Sequence, residues 1–139
     1  TERIGPAAAL ATLDVMERER SWERITATGI DVKARWEAMA GAHGLPLQTF
    51  GLPALCGFTF RSENALAYKT FLTQEMLKQG YLAATLLYVC TEHTEDVLEG
   101  YFDRLDPLFA RIATFEAGDA DVHAELDGPV CHGGFQRLN

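Results

Sequence analysis

At Leu45 the hydrophobic pattern of the chain changes period, and that change restricts it to folds that mix helices with a small sheet. Before this point Trp22, Ile25, Val32, Trp36 and Met39 keep helical register. After it, residues 47–50 and 54–60 are short, β-branched or aromatic-rich runs separated by Gly51-Leu52-Pro53, the spacing of two strands joined by a turn. A helical face returns at Ala65, Tyr68, Leu72 and Met76 and stops at Gly80. Residues 81–90 are then almost continuously apolar, which predicts a central strand covered on both faces. A last face, Leu98, Tyr101, Phe102, Leu105, Leu108, Phe109 and Ile112, follows Thr94 as cap and Glu95-Asp96 as an acidic first turn. Asp106-Pro107 is expected to kink this helix or divide it. The order α-α-β-β-α-β-α argues for an α+β domain, a small antiparallel sheet with helices packed on it, rather than a doubly wound parallel one.

Local signals set the remaining boundaries. Pro6 suits a first helical turn and Ala7-Ala8-Ala9-Leu10-Ala11 is a strong helix-forming run, giving a helix over residues 6–20. Ser21 reads as the cap of a second, long helix that ends at His43-Gly44, with Pro46 just beyond. Gly29 weakens that helix by about 1 kcal/mol relative to Ala, so a bend or break is expected near Thr28-Gly29. Ser62 reads as the cap of a third helix over residues 63–79. The division is therefore N-terminal helices over 1–44, a β-β-α-β-α unit over 45–118, and a tail over 119–139 in which regular structure thins out. With 47% hydrophobic residues in 139, one domain can bury a real core.

Charge narrows the partners. Twelve Lys and Arg against twenty Asp and Glu leave a net charge of −8, with no basic run, which argues against nucleic acid and acidic membranes. The longest apolar run, residues 81–90, is half a membrane span, and Thr1-Glu2-Arg3 opens no leader-like pattern, so a cytoplasmic protein is expected. Cys56, Cys90 and Cys131 lack CxxC spacing and read as free thiols, with neither a disulfide framework nor a cysteine metal site.

Catalytic signatures are sparse. There is no GxSxG, no phosphate-binding glycine loop and no HExxH. His43 sits at a helix C-terminus, where an imidazolium suits the dipole. His93 lies between a strand and a helix, a junction that often carries function, although a hydrogen-bonded turn histidine is the commoner case. His123 reads as solvated, and Cys131-His132 is too small a set for a metal or a nucleophile and base. Arg61, directly after a strand, could clamp a carboxylate through two parallel hydrogen bonds or simply face solvent. Lys33, Lys69 and Lys78, the only lysines, fall on helices among polar neighbours, where an ammonium stays protonated and forms Schiff bases poorly.

The opening Thr1-Glu2-Arg3-Ile4-Gly5-Pro6-Ala7-Ala8-Ala9-Leu10-Ala11-Thr12-Leu13 resembles the stretch of class III pyridoxal-phosphate aminotransferases that follows a threonine contacting the cofactor phosphate. Glu63-Asn64-Ala65-Leu66, Phe71-Leu72-Thr73-Gln74-Glu75-Met76-Leu77, Gly80-Tyr81, Val89 and His93-Thr94-Glu95-Asp96 resemble that family's final helix-strand-helix unit. Gly128-Pro129-Val130-Cys131-His132-Gly133-Gly134-Phe135 is similar to the tails of its glutamate-1-semialdehyde aminomutase branch. The resemblance covers nearly the whole chain in order, and departs from the family at Thr1-Glu2, where many members have Gly-Asn, and at Pro107. It implies the C-terminal small domain of a dimeric fold-type-I enzyme that performs transamination or amino-group migration with pyridoxal phosphate on an amino-acid or amino-ketone substrate. The large domain, which the resemblance makes the principal partner and main cofactor holder, would carry the Schiff-base lysine. Thr1 and Glu2 would approach the cofactor across the dimer interface, and Arg61 and His93 would reach the substrate cleft. No catalytic residue and no metal site are expected in this chain. The competing reading is an autonomous α+β ligand-binding or dimerisation domain without catalysis.

Overall fold

In the computed structural model, which describes residues 2–134, the element order is α1 (Ile4–Glu19), α2 (Ser21–Ala42), β1 (Leu47–Leu52), β2 (Leu55–Phe60), α3 (Ala65–Lys78), β3 (Leu86–Tyr88) and α4 (Glu95–Glu116). A short 3-10 turn, Val122–Glu125, follows. The three strands form an antiparallel sheet in the order β1-β2-β3, with Phe50 opposite Gly57 and Gly57 opposite Leu86. The α+β expectation holds.

Alternation on β2 sends Cys56, Phe58 and Phe60 inward, where all three are buried. Phe58 meets Trp36 of α2 edge to face at 4.9 Å, and Phe60 meets Phe109 of α4 at 5.6 Å and Tyr68 of α3 at 5.7 Å. The helices thus cover one face of the sheet. α4 supplies the largest share of the core, burying Leu98, Tyr101, Phe102, Leu105, Leu108, Phe109, Ile112 and Phe115. Trp36 donates its indole N–H to the Tyr101 hydroxyl at 3.1 Å, so the polar atoms of both buried side chains are satisfied.

Two local expectations are corrected and two are narrowed, a break at Gly29 and a division at Pro107 being excluded. Residues 81–90 are not a central strand: only Leu86–Tyr88 is β, at a sheet edge, with Leu82 almost fully exposed and Leu86 and Tyr88 facing out. Central position belongs to β2, because the tight hairpin pairs it with β1 and the chain returns on its other side. α2 runs through Gly29 without a break; a Cβ there would stand 1.8 Å from the Pro53 carbonyl oxygen, so the glycine serves the close approach of the hairpin turn. Ser21 does not cap α2 but is its first residue, preceded by Arg20 in the left-handed region (φ 48°). Nor does Pro107 divide α4, which is one helix. Pro107 and Asp103, whose carbonyl would have taken the missing N–H bond, both lie on the exposed side, where water can satisfy that carbonyl.

Candidate functional site

The residues singled out from the sequence fall in separate places. Thr1 lies outside the described residues. Glu2 precedes α1 and its carboxylate accepts the N–H groups of Ile4 and Gly5, the latter at 3.2 Å, so it satisfies donors of the first helical turn. Arg61 is exposed just past β2; its Nε donates to Gln48 Oε1 at 3.0 Å, and its own N–H donates to the Pro46 carbonyl at 2.6 Å. His93 follows β3, and its Nδ1 accepts the Cys90 N–H at 3.0 Å, which leaves Nε2 as the nitrogen open to another partner. Register separates the last two. Leu55 pairs with Tyr88, so His93 lies near the start of β2 and Arg61 beyond its end, roughly 20 Å apart along an extended strand.

His93 borders a polar hollow of about 540 Å3 between α2 and the first turns of α4. Thr28, Asp31 and Arg35 line it from α2, Glu95 and Glu99 from α4. Arg35 is already engaged, with Glu99 Oε1 at 2.8 Å and its guanidinium 3.9 Å over the Phe102 ring. A second hollow of about 530 Å3 lies between α1, α2 and the end of β3, and is mainly apolar, with Ala11, Val15, Met16, Ile25 and Val89 on its walls.

Two surfaces stand uncovered. None of the sixteen residues of α1 is buried, and Ile4, Leu10, Leu13, Val15 and Met16 are all exposed. On the sheet, the outward positions Phe50, Leu52, Leu55, Leu86 and Tyr88 are exposed as well. Apolar area on this scale marks contact surfaces.

Two of the three lysines and the buried thiol are held in unreactive settings. Lys33 donates to the Gly51 carbonyl at 3.2 Å. Lys78 reaches Glu75 at 2.8 Å and Asp127 at 2.9 Å, and these carboxylates raise its pKa, holding it as ammonium. Burial pushes the Cys56 thiol up, away from thiolate. Among the described residues no three His, Cys, Asp or Glu side chains converge as a metal would require, and no helix is long and apolar enough to cross a membrane.

No family model matches the chain. A 3-aminobutyryl-CoA aminotransferase of Cloacimonas acidaminovorans (strain Evry) is 26% identical over 99 residues, 68% of this chain and 24% of that protein. The structure of the PLP internal aldimine form of the FumI protein of Sphingopyxis sp. MTA144 superposes with a TM-score of 0.68 at 23% identity, over 80% of this chain and 27% of that one. The chain is aminotransferase-like. It spans about a quarter of the length of each of these two proteins.

Within this aminotransferase-like chain, sequence reasoning found His93 at its strand-helix junction and did not single out Arg35. It also missed the exposure of α1. The run Ala7-Ala8-Ala9-Leu10-Ala11 announces a helix and says nothing about what covers it.

Proposed function

We propose that the chain is one folded unit, the C-terminal domain of a pyridoxal-phosphate-dependent aminotransferase or aminomutase, forming a wall of the substrate cleft and part of the dimer interface. The observation that carries this reading is α1, a sixteen-residue helix with apolar side chains and nothing buried. Such a helix is marginal in water alone and is stabilised by a partner surface. The aminotransferase and the pyridoxal-phosphate protein it resembles support the same reading, since each leaves about three quarters of its length without a counterpart here.

Pyridoxal phosphate requires an amine that can lose its proton and a cradle for a phosphate dianion. Lys33, Lys78 and the first helix terminus do not fit it. Lys78 is held protonated by two carboxylates, and Lys33 is committed to a backbone carbonyl. The N-terminus of α1, where a phosphate would sit, holds the Glu2 carboxylate. No step of amino-group chemistry is therefore assigned to these residues, and the Schiff-base lysine belongs to the rest of the enzyme. Thr1 and Glu2 mark where the domain comes nearest the cofactor, with Glu2 fixing the turn. His93 and Arg61, at opposite ends of the sheet, are the residues this reading places at the substrate cleft.

Borohydride reduction of the purified 139-residue chain with stoichiometric pyridoxal phosphate tests this reading. The expected result is no site-specific adduct and no transaminase activity. An adduct on Lys33, Lys69 or Lys78 would overturn it. A sharply melting monomer that binds no hydrophobic dye would instead favour the autonomous binding domain.

A further inference from the structure

Among the described residues, the segment after α4 has no strand and only one short helical turn, yet its polar contacts follow a rule. Gln74 Nε2 donates to the Glu125 carbonyl at 2.9 Å, and Gln74 Oε1 accepts the Asp127 N–H at 2.7 Å. Lys78 pairs with Asp127 at 2.9 Å. Farther along, Thr70 Oγ1 accepts the Cys131 N–H at 2.9 Å, and Cys131 Sγ lies 3.6 Å from the Leu66 carbonyl. The anchors on α3 are thus Leu66, Thr70, Gln74 and Lys78, each four residues from the next. Residues four apart share one helix face, so a single stripe of α3 holds the segment, which runs antiparallel to the helix.

We infer that residues 122–134 form a strap, clamped along this α3 stripe by the Gln74 amide and able to peel from its Cys131 end. Gln74 satisfies a backbone acceptor and a backbone donor two residues apart, as a neighbouring strand would. The near end is held most firmly. Val122 is buried, Leu126 packs against the core, and Arg111 pairs with Glu125, its Nε at 3.2 Å from Oε2. At the far end, among the described residues, Val130 packs against the core and the polar contacts are the Thr70 hydroxyl and a weak sulfur bond. The strap carries Cys131 and His132 to the N-terminal end of α3, the end beside Arg61. Whether it is seated therefore decides what stands at that edge of the domain. The inference concerns the chain's own contacts and holds whatever reaction the chain serves.

Hydrogen exchange of the 139-residue chain, read at Asp127, Cys131 and the amides of α4, tests it. In Gln74→Ala, exchange at Asp127 and also at Cys131 should speed up by roughly tenfold, although the Thr70 acceptor of Cys131 is intact, while α4 keeps its protection. In Thr70→Val, Cys131 alone should be freed. A Gln74→Ala chain in which Cys131 is unchanged would show independent contacts and overturn the strap, as would wild-type amides at Asp127 and Cys131 that exchange like an unstructured peptide. Should Gln74→Ala lose α4 protection, Gln74→Glu serves: it keeps the size and the acceptor, removes the donor to Glu125, and should free Cys131 in the same way.

Discussion

Helices α1 and α4 carry comparable apolar residues in opposite surroundings. α4 buries eight side chains over 22 residues, and α1 buries none over 16. α4 is stabilised by tertiary packing, whereas α1 rests on propensity and on the Glu2 carboxylate at its start. Apolar content therefore does not decide burial; the geometry of the neighbours does. The largest test acts on α4. Phe109 is fully buried and meets Phe58 at 5.8 Å and Phe60 at 5.6 Å. Phe109→Ala should cost about 3–5 kcal/mol of unfolding free energy in a urea titration. A loss under about 1 kcal/mol would mean that α4 is not the core helix.

α2 lies between the two cases, and Gly29 is where it meets the hairpin. Ala is the better helix former by about 1 kcal/mol, so in a free helix Gly29→Ala would stabilise. Here the new Cβ would stand 1.8 Å from the Pro53 carbonyl oxygen, an atom of the backbone. The clash should win, costing about 2 kcal/mol or more in the same titration. A gain in stability would show that the hairpin turn yields freely and that the contact is loose.

These two positions also show what could be read in the sequence. Phe109 belonged to a face that periodicity marks over several turns, so α4 was legible together with its inward residues. Gly29 read as a weak point, because its reason lies at Pro53, 24 residues on, and no local signal reports such a contact. Residues 81–90 misled in the opposite sense. A continuous apolar run suggests two covered faces, but Leu82, Leu86 and Tyr88 point outward from an edge. For the site, the strand-helix junction made His93 visible. Arg35 became notable only once folding set it over Phe102 and beside Glu99.

A smaller effect should appear where α4 meets α3. Tyr68 is buried and donates its hydroxyl to Glu116 at 2.7 Å; Ser62 donates to the same carboxylate oxygen at 2.8 Å. Burial, and then the Glu116 carboxylate, raise the Tyr68 pKa above its usual value of about 10. As pH rises, the unfolded phenol therefore ionises first. The stabilisation is whole below pH 10 and is lost as pH climbs through the native value. Tyr68→Phe should cost about 1–2 kcal/mol at neutral pH and reduce the alkaline loss. It should not abolish that loss, because burial also raises the pKa of Tyr101. An alkaline unfolding profile identical in wild type and Tyr68→Phe would refute the assignment.

The smallest expected change in stability is on α1, and it bears most on function. Leu10 and Leu13 are 65% and 59% exposed, so replacing both with Ser removes little buried area. The unfolding free energy of the chain should move by about 0.5 kcal/mol or less. Binding of a hydrophobic dye should fall, since the double variant removes part of an open apolar surface. If Leu10→Ser with Leu13→Ser instead destabilised the chain as much as Phe109→Ala, something would already cover α1 in solution, and a second copy would be the first partner to test. The contrast between the helices would then belong to the single chain, not to the assembly. If stability holds and dye binding falls, α1 is open in the isolated chain and its apolar side is available as a docking surface.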